Sequence, residues 1–171
     1  MPSNIEIKAR VQDLEEVRRR AAALSDVPCE VIPQEDTFFA TSRGRLKLRE
    51  LQGSPAQLIY YGRPDQGGPK RSNYQIFITN DAAGLKGVLS LAYGIRGVVK
   101  KTRYLYLAGQ TRIHVDDVQG LGHFMELEVV LLDGQPDREG EAIARDLMSK
   151  LGIEPGDLLD GAYMDLLENK D

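Results

Sequence analysis

Asn4-Ile5-Glu6-Ile7-Lys8 decides the reading of this chain, because it sets Glu6 and Lys8 two positions apart on a segment that alternates like a strand. Side chains at i and i+2 of a strand project to the same side of the sheet. One face of this strand is therefore oily, and the other carries charge of both signs. The pattern recurs in Lys47-Leu48-Arg49, Lys101-Thr102-Arg103, Arg112-Ile113-His114-Val115-Asp116 and Glu126-Leu127-Glu128. An ordinary half-buried strand sets an apolar face against a merely wet one. Here the second face is densely ionic, which describes a site.

The segments between these strands set the fold class. Residues 4–11 read as a strand, followed by a helix that Asp13 opens, with Glu15 and Glu16 in its first turn. Arg18, Arg19 and Arg20 on that helix read as a solvated face, since successive helical residues point about 100° apart. Residues 29–41 predict one long bent strand, 45–51 and 56–63 a pair of strands, 64–72 a loop, and 74–79 another strand. Asp81 caps a helix to about Leu91; strands at 97–107, 111–118 and 124–132 follow, then helices over 137–151 and within 155–168.

The result is an α+β chain with about eight strands, the number at which a closed barrel just holds side chains or one small ligand. An open sheet with its ionic faces in water is the alternative. The charges favour closure because they are sorted by strand: Glu6, Asp116, Glu126 and Glu128 on some, Lys47, Arg49, Lys101 and Arg103 on others. A merely solvated face mixes signs opposite one another. The expected architecture is an eight-stranded antiparallel β tunnel (closed barrel) with flanking helices, one domain over residues 1–171.

Composition narrows the function classes. With 171 residues, a formal charge of -4 and a pI near 5.3, a generic nucleic-acid coat is excluded. The one cysteine, Cys29, excludes an internal disulfide and a thiolate metal site. The opening MPSNIEIKAR has no basic-then-apolar leader, and no apolar run approaches the ~18 residues of a membrane span. A cytoplasmic protein with no membrane and no nucleic-acid partner is expected; a homodimer is left open.

Glu126 and Glu128 share one strand face, with Glu6 and Asp116 as candidates to join them. Carboxylates that close repel unless a cation lies between, and carboxylate ligation suits a hard ion such as Mg²⁺ or Mn²⁺. Pairing with Lys or Arg across a sheet is the competing explanation. Lys8, Lys47, Arg49, Arg63, Lys101, Arg103 and Arg112 would bring many positive charges to one cavity if the sheet closes. So many cations call for a polyanion, and the acids call for a cation. A metal-bound triphosphate answers both demands.

These blocks, in this order, resemble the CYTH superfamily, the triphosphate tunnel metalloenzymes, which include class IV adenylyl cyclases, thiamine triphosphatases and tripolyphosphatases. The family's opening Glu-x-Glu-x-Lys is matched by Asn4-Ile5-Glu6-Ile7-Lys8. Arg45-Leu46-Lys47-Leu48-Arg49, Tyr61-Gly62-Arg63, Lys101-Thr102-Arg103, the run from Thr111 to Val118, the run from Gly120 to Glu128, and Tyr163-Met164-Asp165-Leu166-Leu167 match later blocks. The resemblance implies a tunnel in which Lys and Arg bind the triphosphate and acidic strand residues hold the metal. Lys8 and Lys101 would lie near the phosphates in catalytic roles. Asn4 departs from the pattern: it offers an amide oxygen where the family has a carboxylate, so a second metal position is weakened.

Two outcomes share this machinery. Water attacking the terminal phosphorus makes a triphosphatase, the favoured reading; ribose 3'-hydroxyl attack on the α-phosphorus makes a cyclase releasing pyrophosphate. A non-catalytic polyphosphate-binding module is the third reading, kept alive by Asn4. The substrate is expected among tripolyphosphate, ATP and thiamine triphosphate. The loop over residues 63–74 resembles that of cyclase-like members, and as a lid it would close Lys70 and Arg71 on phosphate. His114 is expected to orient a neighbour, His123 to lie solvated in a turn, and Tyr104 and Tyr106 to pack beneath helices.

Overall fold

The computed structural model describes residues 2–62 and 68–169. Its elements in chain order are β1 (Ser3–Arg10), α1 (Leu14–Leu24), β2 (Glu30–Phe39), β3 (Arg45–Leu51), β4 (Ala56–Gly62), β5 (Lys70–Thr79) and α2 (Ala82–Tyr93). Then follow β6 (Ile95–Ala108), β7 (Thr111–Val118), β8 (Gly122–Val130), α3 (Asp137–Lys150), β9 (Leu158–Leu159) and α4 (Tyr163–Glu168). The strands form one antiparallel sheet in the order β5-β4-β3-β2-β6-β7-β8-β1-β9, and β5 also pairs with β1. That last pairing, from Ser3 opposite Asn73 to Glu6 opposite Lys70, curls β1 to β8 into a closed barrel, with β9 a two-residue addition beside β1. The expected eight-stranded antiparallel tunnel with flanking helices is what the protein adopts.

Strand parity decides what faces inward. On β1, Ile5, Ile7 and Ala9 are fully buried outside the barrel, in one cluster with Ile113 and Val115 of β7 and Leu127 of β8. The helices α1 and α3 cover that cluster through Val17, Ala21, Ala144 and Leu147. Burying side chains of this size contributes about 1.5–3 kcal/mol each. The oily faces thus hold the helices, and the ionic faces are left to line the lumen. Gly140 allows the approach of α3: a Cβ there would lie 2.6 Å from Ile5 Cγ1 and 2.8 Å from Leu131 Cδ2. Tyr104 and Tyr106 face outward as expected; Tyr106 is buried in the cluster, and Arg18 sits over the Tyr104 ring and donates to the Tyr106 hydroxyl.

Several boundaries differ from the sequence reading. The strand expected from Tyr74 begins at Lys70, because residues 70–73 complete the seam with β1. Lys70 is therefore fixed in a strand and buried, and Arg71 points out to Asp137 and Ser3, so neither sits on a lid. The helix expected within 155–168 is α4, and a 3-10 turn (Pro155–Asp157), β9 and a chain reversal precede it. His123, expected in a turn, lies in β8 and stays partly exposed. Arg63 falls outside the described residues. Among the described residues no helix is long and apolar enough to cross a membrane.

Candidate active site in the tunnel

The lumen holds a cavity of about 330 Å³. Six Lys or Arg side chains and four Glu or Asp side chains are among its lining residues: Lys8, Lys47, Arg49, Lys101, Arg103 and Arg112 against Glu6, Asp36, Glu126 and Glu128. Charges in such a place survive only when paired or hydrogen-bonded.

The pairing is organised around two carboxylates. Asp36 of β2 accepts from Arg49 Nε at 2.9 Å and NH2 at 2.8 Å, a bidentate fork, with Lys47 Nζ at 3.4 Å. Asp116 of β7 accepts from Arg103 Nε and NH2, both at 2.8 Å, and from the Tyr163 hydroxyl at 2.9 Å. Lys101 Nζ lies between the two centres, 4.0 Å from Asp36 and 3.7 Å from Asp116. Cross-strand register creates this arrangement: Asp36 opposes Arg49 across β2–β3, and Arg103 opposes Asp116 across β6–β7. Each fork fixes one edge of a guanidinium and leaves its remaining N–H donors for an anion.

A second group collects on β8, β1 and β7. Glu126 lies 3.6 Å from Lys8 Nζ and 3.6 Å from Arg103 NH2. Glu128 lies 3.0 Å from His114 Nδ1 and 3.6 Å from Arg112 Nε, and accepts from Asn4 Nδ2 at 3.3 Å. Glu6 opposes Glu128 directly in the β1–β8 register, which brings paired Cβ atoms to about 5 Å.

Burial and neighbouring charge set the protonation of these groups. Burial, then the Arg103 charge, pushes Lys101 down from 10.5 to about 7, against the pull of Asp116 and Asp36. Burial and Arg49 bring Lys47 to about 8. Burial pushes the Asp36 carboxyl up, but Arg49 and Lys47 outweigh it and hold it well below the usual range. Glu126 and Glu128 follow the same rule: burial raises each, and Lys8 with Arg103, or His114 with Arg112, overcome it. His114 is held low by burial and by Arg103. Lys101 is thus the lumen base poised to gain or lose a proton near neutrality.

One end of the tunnel is filled by α4. The Tyr163 ring lies between two ammonium groups, Lys8 Nζ at 4.2 Å and Lys101 Nζ at 4.7 Å from its centroid. Lys8 also donates to the Gly161 carbonyl at 3.2 Å, and Lys70 to the Asp160 carbonyl at 3.1 Å. Gly97 permits the close approach of Met164, whose side chain occupies the space a Cβ would need.

Of the residues expected from the sequence, the cavity brings together Glu6, Lys8, Lys47, Arg49, Lys101, Arg103, Arg112, Glu126 and Glu128. Asp116 lies buried behind Arg103, and Lys70 is turned to the chain reversal before α4. Asp36 and Tyr163 were missed. Asp36 had no signal of its own, since Glu35 beside it carries the same charge. Tyr163 had none beyond its place in the terminal family block, because Asp116, Lys8 and Lys101, which it meets, lie more than forty residues away.

The donor set fits a hard divalent ion. The Asn4 side-chain oxygen is buried and lacks a hydrogen-bond partner, while its nitrogen is spent on Glu128. Glu6, Glu128 and Asn4 line the same cavity, and their oxygens are donors of the kind Mg²⁺ or Mn²⁺ takes alongside water and phosphate oxygens. Among the described residues no three acidic, His or Cys side chains form a metal-holding group by themselves.

Comparison with known proteins places this geometry. The chain is 26% identical to the adenylate cyclase CyaB of Aeromonas hydrophila over 172 aligned residues, covering 96% of this chain and 88% of that protein. A Pyrococcus horikoshii OT3 protein of known structure superposes with a TM-score of 0.85 at 25% identity, covering 95% of this chain and 98% of the other. A Hippeastrum protein, described as a putative adenylyl cyclase with a dominant triphosphatase activity, shares the fold with a TM-score of 0.69 at 13% identity, covering 100% of this chain and 97% of its own. Residues 3–163 match the CYTH domain, and the chain belongs to that family.

Proposed function

We propose that this protein hydrolyses a linear triphosphate, inorganic tripolyphosphate or the triphosphate of an organic ester, inside the tunnel with Mg²⁺ or Mn²⁺. The observation that carries the reading is Lys101, near neutrality in its protonation, held between two carboxylates that each brace an arginine. Arg49 and Arg103 present their free N–H edges to non-bridging oxygens, and Lys47 and Arg112 add charge along the chain of phosphates. Glu6, Glu128 and the Asn4 amide oxygen would hold the metal. When bound, the metal would supply positive charge to offset the charge that builds up on the phosphate oxygens.

Water attacks the terminal phosphorus, the bond to the bridging oxygen breaks, and Lys101 Nζ gives its proton to the leaving diphosphate. The attacking water's proton leaves with the orthophosphate, and Lys101 is recharged from solvent. Lys8, over the Tyr163 ring, positions the phosphate end nearest α4. Asp116 serves this reading as the anchor of Arg103, because both its oxygens are already engaged.

Cyclisation of ATP is the second reading, favoured by the similarity to a protein named adenylate cyclase CyaB. The same lumen serves it if a ribose hydroxyl takes the place of water. Incubation with tripolyphosphate and with ATP, separately and with Mg²⁺ or Mn²⁺, distinguishes the readings. Orthophosphate from either substrate is the expected product. Cyclic AMP with pyrophosphate overturns hydrolysis, and tight binding with no product overturns both in favour of a binding module.

A further inference from the structure

The outer wall of the barrel opposite α1 and α3 carries an apolar band that the tunnel chemistry does not use. Register builds it: Phe77 opposes Leu58, Leu58 opposes Leu48, Leu48 opposes Thr37, and Thr37 opposes Val98, one outward row across β5, β4, β3, β2 and β6. Four strand spacings make this row about 19 Å wide. The helix α2 lies over the middle of the row, where Leu48 is 0% and Thr37 1% exposed. It inserts Ala82, Leu85 and Leu89 and has no fully buried residue. The flanks stay open, with Phe77 61% and Val98 41% exposed. On α2 itself Val88 is 64% and Leu91 92% exposed.

Helices of a monomer normally turn charge outward at such positions. This one does not: Ala83, Gly84, Gly87, Val88, Leu91 and Ala92 are its exposed face with Tyr93 at the end. Its one charged side chain, Lys86, is turned to Glu50 and Glu35 of the barrel. The nearby cations are also spent, Lys100 on Glu35 and Arg96 on Asp165 and Glu168. Among the described residues the cations named on this wall are all paired with carboxylates, so they do not mark it for an acidic partner or an anionic lipid surface. With Tyr93 and Ile95, the band exposes apolar area on the order of 600 Å², the top of the range for a monomer and close to the ~800 Å² a standard interface buries per partner.

We propose that this wall is a dimerisation face and that its occupant is a second copy of this chain, the two α2 helices crossing antiparallel about a two-fold axis at Gly87. A neutral apolar face is its own best complement under two-fold symmetry, where each residue meets its counterpart's neighbours. Gly87 suits the axis because a Cβ there would meet nothing within 4 Å, so the second helix approaches to backbone distance. Leu91 of one copy then covers Ala83 and Gly84 of the other, and Phe77 and Val98 close the flanks. The tunnel lies on the far side of the sheet from this contact, so the proposal is independent of the reaction proposed above.

Sedimentation velocity of the full chain, from low to high micromolar loading, tests it. The wild type is expected as a dimer, and Leu91→Glu as a monomer with an unchanged far-ultraviolet spectrum. Should Leu91→Glu fail to fold, Gly87→Cys in a Cys29→Ser background is read instead, and a disulfide-linked dimer on mild oxidation is expected. A monomeric wild type at the highest loading overturns the proposal. So does a dimer that survives Leu91→Glu with its fold intact, a Gly87→Cys chain that stays unlinked, or a monomer that floats with neutral lipid vesicles.

Discussion

Asp36→Asn separates a lumen built for a polyanion from one that is merely salt-bridged. The change keeps size and shape but removes the charge that holds Arg49 at 2.8 and 2.9 Å, Lys47 at 3.4 Å and Lys101 at 4.0 Å. Three buried cations then face one another with their common counter-ion gone. Breaking a buried pair in this way costs about 3–5 kcal/mol. For a chain of this length that lowers Tm by about 10 °C. A triphosphate in the lumen restores the missing negative charge, so the variant recovers more from ligand than the wild type does. The assay is a thermal melt of both proteins with and without tripolyphosphate, sulfate serving as a control for ionic strength. A larger ligand-induced shift in Asp36→Asn than in the wild type is expected. Equal shifts, or an unchanged Tm without ligand, refute the reasoning, because they show that Asp36 does not neutralise cations that a phosphate chain would meet.

Lys101 near 7 and Lys47 near 8 predict proton uptake on binding, since a polyanion raises both. At pH 8 tripolyphosphate should take up about one proton and at pH 6 almost none, read by calorimetry in two buffers of different ionisation enthalpy. For the unliganded fold the sign is the same as for a salt-bridged acid but the window is higher: these lysines bind protons more weakly folded than unfolded, so their contribution to stability rises with pH from about 7 to about 10. Asp36, Asp116, Glu126 and Glu128, all depressed, add stability that is present above about pH 4 and is lost as the pH falls below it, visible as acid unfolding by circular dichroism. Tyr163→Phe keeps the ring between Lys8 and Lys101 and loses only the hydrogen bond to Asp116, so it should retain most of kcat. Tyr163→Leu, which removes both, should lower kcat at least tenfold. Glu128→Gln should abolish metal-dependent turnover while the far-ultraviolet spectrum stays unchanged, and full activity in that variant removes Glu128 from the metal group.

The barrel was legible because a two-residue period is local. Ile5 against Glu6 and Leu127 against Glu128 announce which face meets α1 and α3 and which meets the lumen, without knowledge of any partner strand. Closure was expected from the sorting of charge by strand and from the order of the family blocks; the register in fact sets opposite signs face to face, Asp36 against Arg49, Arg103 against Asp116 and Lys8 against Glu126, so the family blocks were the sounder signal. The seam at β5 was not legible: residues 64–69 are rich in Gly and Pro, and the strand character of Lys70 and Arg71 comes only from pairing with β1. The lysine buried there looked like a lid residue for the same reason. Asp36 escaped because Glu35 beside it carries the same charge, and only register shows which of the two points at Arg49. Tyr163 escaped because parity arguments do not reach a six-residue helix that folds back over the far end of the tunnel.

The most direct measurement is a crystal structure of the protein soaked with a non-hydrolysable tripolyphosphate analogue and Mn²⁺, with anomalous scattering used to place the metal. The account predicts the phosphate chain in the lumen between Arg49 and Arg103, within hydrogen-bond reach of Lys101, and an anomalous peak among Glu6, Glu128 and the Asn4 amide oxygen. An anion bound outside the barrel, or a metal remote from Glu6 and Glu128, would contradict it.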